Sequence, residues 1–216
     1  MMSQRQTNNR EALLDAAEAL FSTQGFYLVT VRDITRKAGV RVAEVNDLFG
    51  SKEKLFYEVI NRRATVINLM RCERLSRVDT TQSRDEQFCH IMAAFYEPLL
   101  AVSSDGEGWR NYLRLVPQMM RQKAPILVLV ADFYTPVSNL FLSRIGKLYS
   151  NVSTQRLERF WHFALVTYFS IFTDDFRVGG PLEPAGGTLT EHYDKAFRDA
   201  ESFVSAGFQS LFQSDN

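Results

Sequence analysis

The side chains with the strongest directed chemistry in this 216-residue chain lie between residues 30 and 52: Thr30, Arg32, Arg41, Asn46 and Lys52. An arginine fork donates two parallel hydrogen bonds to a phosphate or a guanine edge, and an asparagine amide pairs with an adenine edge. Thr30 and Lys52 stand at predicted helix starts, where free backbone amides and the helix dipole favour an anion. Glu44 and Asp47 interrupt this series; near phosphates they repel unless they accept from a cytosine amine, and Glu44 is expected on a solvated face. Catalysis has no comparable support. His90, His162 and His192 are scattered, no HExxH or GxSxG motif or phosphate-binding glycine loop occurs, and Cys89 and His90 occupy adjacent positions that diverge on a helix. No catalytic residue, metal or cofactor is expected. Cys72 and Cys89 lack CxxC spacing, which suits a reducing compartment.

The elements that must hold these residues read as helices. Asn8 to Glu11 has capping-box spacing, and Leu13, Ala17, Leu20 and Phe21 then share one face until Gly25. Thr30 and Asp33 open a second helix that Gly39 stops. A third runs from Arg41 to Phe49, and Ser51 is placed to cap a long helix beginning at Lys52. Two short helices joined by a tight glycine turn over residues 31 to 49 fit a helix-turn-helix, in which the second helix enters the major groove. Any α-hairpin in a bundle gives the same spacing. Charge adds little: 25 basic residues balance 25 acidic ones, and residues 1 to 63 carry ten of the former against eight of the latter.

Beyond residue 76 the helical pattern lengthens. Ser83 to Glu86 repeats the capping box ahead of Phe88, Ile91, Met92 and Phe95. Pro125 is expected to open a helix, Pro117 and Pro136 to bend one, and the glycine- and proline-rich stretch 174 to 190 to form a mobile connection. No β-alternation is sustained, so the fold class is all-α: a three-helix helix-turn-helix domain over 1–55, then a larger helical domain over 56–216. The polar amino terminus lacks a signal-peptide core, and the longest apolar stretches, 126 to 131 and 163 to 172, fall short of the roughly 20 residues that span a bilayer. A soluble, cytoplasmic protein with no membrane partner is expected.

REALLDAAEALFSTQGF, TVRDITRKAGV and FGSKEKLFYEVI, within residues 10 to 60, resemble the amino-terminal domain of the TetR family. The resemblance implies a homodimer that binds double-stranded operator DNA and is released from it by a small molecule. It makes 41 to 48 the recognition helix, sets a phosphate-contacting hydroxyl at Thr30 and lysine at Lys52, and packs Phe49 internally. The DNA-contacting set is then Thr30, Arg32, Arg41, Val42, Ala43, Asn46, Asp47 and Lys52. Two departures stand out: Arg41 where the family often has serine, and Asp47-Leu48 where an aromatic followed by histidine or tyrosine is common. The alternative is a helical ligand- or partner-binding dimer that has lost specific DNA binding.

The carboxy-terminal part is expected to bind ligand and to dimerise. Residues 157 to 172 are apolar nearly all round, so a second face needs covering. The last helix carries a stripe of Tyr193, Ala196, Phe197, Ala200, Val204, Gly207, Phe208 and Leu211, and the resemblance implies that the last two long helices form a four-helix bundle between two chains. An intrachain core explains the last helix's stripe equally well but leaves the penultimate helix with surplus apolar surface. For the effector, Phe88, Met92, Phe95, Trp109, Leu113, Phe133, Val137 and Phe169 are the candidate lining. A cavity of such residues favours an apolar or aromatic molecule with one or two polar handles.

Overall fold

The computed structural model describes residues 3–120, 124–172 and 189–212. Among them are nine helices and no strand: α1 Gln4–Gln24, α2 Val31–Ala38, α3 Ala43–Phe49, α4 Lys52–Ser76, α5 Arg84–Ser103, α6 Glu107–Met120, α7 Ala124–Leu148, α8 Thr154–Ser170 and α9 Leu189–Phe212.

Side-chain caps fix several of the boundaries. α1 begins before the expected Asn8 because Ser3 and Gln6 form the working capping box: the Gln6 amide donates to the Ser3 hydroxyl at 3.3 Å, and Gln6 Oε1 accepts from the Ser3 amide at 2.9 Å. Thr30 and Asp33 close the same reciprocal pair on α2, at 3.2 and 3.1 Å, and the bonds that the Thr30 hydroxyl and then its amide donate to the Asp33 carboxyl hold it below its ordinary value. Gly39, at φ 68°, takes the left-handed conformation that stops α2. Ser51 accepts from the Lys54 amide at 3.2 Å at the head of α4, and Ser83 caps α5 with Glu86. Pro125 sits in the first turn of α7, as its missing N–H requires, while Pro98, Pro117 and Pro136 lie inside α5, α6 and α7. The expected connection over 174 to 190 falls outside the described residues, apart from Leu189 and Thr190, which begin α9.

The chain forms two compact units, one from within 1–66 and 105–133 and the other from within 67–104 and 134–216. In the first, α1 packs on α2, α3 and α6. Leu13, Ala17, Phe21, Ile34, Val45, Phe49 and Phe56 form its core, with Phe21 and Phe56 meeting edge to face at 5.1 Å. Charge is buried as well. Glu18 on α1 is 1% exposed and accepts from Arg62 at 2.7 Å and from Arg63 at 3.0 and 3.1 Å; Arg62 also reaches Asp15 at 2.8 Å. The Arg63 guanidinium lies 4.7 Å over the Trp109 ring. Gly108 makes room for it, since a Cβ there would fall on Arg63 Nη2 and lie 3.1 Å from Glu18 Oε2.

In the second unit α9 packs on α5 and α8. Phe88 stacks on Phe208 at 3.8 Å, and Phe160 and Tyr149 close around the pair. Tyr96 stacks on Tyr168 at 4.7 Å and on Phe197 at 5.7 Å. The stripe expected on the last helix is therefore divided. Phe197, Ala200, Val204 and Phe208 are buried in this chain's own core, whereas Leu211 is exposed, as is Phe203 outside the stripe, at 70%. Burying Phe197 and Phe208 onto α5 and α8 stabilises by roughly 1.5 to 3 kcal/mol each, which fixes this face of the last helix inward.

Candidate nucleic-acid interface

α3 is seven residues long, too short to persist without packing, and its position is set by what it buries. Val45 and Phe49 are buried, with Ile34 and Thr35 buried on α2. The Arg10 guanidinium lies 5.4 Å from the Phe49 ring centroid, so Phe49 is internal as expected. Around these anchors Thr30, Arg32, Arg41, Val42, Ala43, Asn46 and Asp47 are all exposed. Seven of the eight expected contact residues thus lie at the surface of the α2–α3 segment.

Lys52, the eighth, is half-buried. Its Nζ donates to the Val29 carbonyl at 2.7 Å and stands 4.1 Å from the Phe26 ring centroid, and burial lowers its pKa from the ordinary lysine value. One of its three donors therefore ties α4 to the turn just ahead of Thr30. The Thr30 hydroxyl is likewise engaged, donating to the Asp33 carboxylate at 2.6 Å. Arg36 pairs with the same Asp33. Arg41 and Val42 precede α3 rather than belonging to it: the Glu44 amide donates to the Arg41 carbonyl at 3.1 Å, and the Val45 amide to that of Val42 at 3.3 Å.

Glu44 departs from expectation. It is 7% exposed rather than solvated, and its Oε1 accepts from Arg41 Nη2 at 2.9 Å. The bond from Arg41, ahead of the polar Asn9 side chain on α1, holds its carboxyl below the ordinary value. The i,i+3 spacing of Arg41 and Glu44 was the available signal. Glu18 also went unread, although it follows Leu14 and precedes Ser22 at four-residue intervals on a buried stripe of α1.

The expected effector residues do not come together in one unit. Phe88, Met92, Phe95, Val137 and Phe169 are buried in the second; Trp109 and Leu113 are buried in the first, where half-buried Phe133 meets Tyr57 at a tilt, 4.7 Å between ring centroids. Two clefts are formed by other residues. One of about 600 Å³ is lined by Asp15, Glu18, Lys37, Arg63, Glu107 and Asn111, and one of about 360 Å³ by Arg74, Arg77, Gln82, His90 and Glu97 among others. Both linings are rich in charge. On α8 and α9, Phe163, Val166, Phe203 and Leu211 are exposed. Among the described residues no helix is long and apolar enough to cross a membrane, and no group of three or more His, Cys, Asp or Glu is placed to hold a metal.

Comparison with known proteins agrees with this architecture. The model for bacterial regulatory proteins of the tetR family matches residues 13–59, and that for the tetracyclin repressor-like C-terminal domain matches residues 93–207. The HTH-type transcriptional regulator BetI of Agrobacterium fabrum (strain C58 / ATCC 33970) is 31% identical over 122 residues, which cover 52% of this chain and 59% of that protein. BetI of Rhizobium meliloti (strain 1021) is 30% identical over 122 residues, covering 52% and 60%. The matched stretch thus spans about three fifths of these curated relatives. Among solved structures, a TetR-family transcriptional regulator from Bordetella parapertussis 12822 superposes with a TM-score of 0.61 at 14% identity, covering 90% of this chain and 93% of that one. The fatty acid degradation regulator FadR from Bacillus halodurans does so with a TM-score of 0.55 at 12% identity, covering 94% and 95%. At such identities these two likenesses speak for the fold alone. With one family model on the helix-turn-helix and a second over more than half of its length, the chain belongs to the TetR family of bacterial transcriptional regulators.

Proposed function

We propose that this chain is a dimeric repressor that reads an inverted-repeat operator through α3 and leaves it when a mainly apolar small molecule binds. The observation that carries this reading is the division of α3: Val45 and Phe49 are buried, while Arg41, Val42, Ala43, Asn46 and Asp47 stand open at and beside the helix start. The amino-terminal residues of a recognition helix are the ones that reach base edges. The division of labour runs with the sequence, residues 1–55 holding DNA and 56–216 dimerising and sensing.

Dimer contacts on α8 and α9 fall to Phe163, Val166, Phe203 and Leu211, which are exposed. Ala200 is buried within the chain, so a charged residue there tests folding rather than assembly. For the effector, Phe88, Met92, Phe95, Val137 and Phe169 supply an apolar and aromatic environment in one unit. Emptying an operator from nearly full occupancy takes about 5.5 kcal/mol of preference for the released state.

Footprinting on duplexes enriched from a random-sequence pool tests the reading. Paired protections one helical turn, roughly 34 Å, or a multiple of that apart are expected, with light scattering giving a dimer that Phe203→Glu converts to monomers. Equal protection of unselected DNA would favour instead a ligand- or partner-binding dimer without specific DNA recognition. Exposed Asp47 and the inward-turned Lys52 are what favour that second reading.

A further inference from the structure

Glu44 bears a negative charge on a helix assigned to DNA, yet it does not stand at the surface. Its side chain is 10% exposed, whereas that of Arg41, its partner at 2.9 Å, is 75% exposed. The two residues are tied twice, side chain to side chain and Glu44 amide to Arg41 carbonyl. The polar Asn9 and the positive charge of Arg5, both on α1, also favour the Glu44 carboxylate. Val42, at the N-cap of α3, makes no side-chain capping bond, so the Arg41–Glu44 link braces the helix start in its place.

We propose that Glu44 is a positioning residue for base reading: itself buried, it holds the Arg41 guanidinium at the entrance of α3 in the orientation that reads one base pair in each half-site. This rests on the DNA-binding function proposed above. Nη2 is engaged by Glu44, and an arginine has five N–H donors, so most of the fork remains for DNA. The pairing also favours bases over phosphates. Arg41 and Glu44 together carry no net charge, so the pair contributes little to counterion release, while the directional hydrogen bonding that discriminates guanine is retained.

The test uses the full-length chain and duplexes enriched by it from a random pool, each base pair then varied singly. Arg41→Ala is expected to lower discrimination about tenfold at one base pair per half-site, in keeping with the weight of one bidentate contact. Glu44→Ala should lower it at the same base pair, and the double variant should lose no more than Arg41→Ala alone. The slope of log affinity against log salt should change by less than one unit in the double variant. A Glu44 that merely braces the helix would weaken all duplexes equally and add in full to Arg41→Ala, and that result overturns the proposal. If Glu44→Ala unfolds, Glu44→Gln and Arg41→Lys replace it. Lysine pairs with Glu44 but lacks the fork, so loss at the same base pair supports the assignment and unchanged discrimination overturns it. If no sequence is enriched, the DNA-binding reading falls, and this proposal with it.

Discussion

The two units of the chain are held by different physics. In the first, charged groups pair between helices, buried Glu18 with Arg62 and Arg63 and half-buried Arg10 with Glu58 at 2.9 Å, and Arg41 pairs with Glu44 at the head of α3. In the second, rings stack across helices, Phe88 on Phe208 and Tyr96 on Tyr168, and Arg74 with Glu97 is the ion pair between helices among the described residues. Hydrogen-bonded ion pairs are directional, so they fix orientation. Ring contacts are broad in angle, and a core built on them accepts rearrangement while staying apolar. Under the proposed function, the comparison teaches that the unit assigned to DNA is fixed by directional pairs and the unit assigned to the ligand by apolar ring packing.

The largest test of this contrast is truncation of the ring core. Phe88→Ala should lower unfolding free energy by about 4 kcal/mol, the range for a fully buried phenylalanine, in denaturant titration. Glu18→Ala should follow at about 3 kcal/mol, at the low end for a broken buried pair because Arg62 and Arg63 are each about one-fifth exposed. The sharper comparison keeps shape. Phe88→Leu should cost about 1.5 kcal/mol, because an apolar core repacks, and Glu18→Gln about 2 kcal/mol, because two guanidiniums lose their counter-charge. If the glutamine is silent, direction does not govern the first unit. Thr30→Ala and Ser83→Ala serve as controls, one from each unit; each should lose about 1 kcal/mol, since a cap acts locally.

The smallest expected effect concerns acid. Asp33 and Glu44 are held below their ordinary values of 3.8 and 4.5 by hydrogen bonds in the fold. A depressed carboxyl contributes stability that is fully present above its unfolded value and is lost as pH falls through the folded one. Thermal unfolding of the wild type should therefore steepen in its pH dependence below about pH 4.5, with Glu44→Gln showing a shallower fall. Equal slopes would mean that the Arg41 contact does not survive in solution.

Much of this architecture was legible in the residues themselves. The boxes at Thr30–Asp33 and Ser83–Glu86 depend on three-residue spacing and fell where expected, as did Gly39 and the burial of Phe49. The start of α1 was misread because Ser3–Gln6 and Asn8–Glu11 offer the same pattern and only contacts choose between them. The exposed series from Thr30 to Asp47 was also readable. The inward turn of Lys52 was not, since it depends on where the Val29 carbonyl and Phe26 ring sit in space. Glu18 and Glu44 both read as solvent-facing until their partners are known: for Glu18 these are Arg62 and Arg63 on another helix, whereas for Glu44 the partner is Arg41, three residues earlier.

Gly108 carries a consequence for how this sequence can change. Any side chain there meets Arg63, and displacing Arg63 loosens Glu18 and the cation resting on Trp109. Positions 18, 63 and 108 lie on α1, α4 and α6, far apart in the chain, yet a change at one alters the contacts of the other two. A side chain at 108 displaces the far end of Arg63, and an uncharged residue at 63 leaves Glu18 to Arg62 alone. Substitutions at these three positions are therefore coupled in their effects rather than independent.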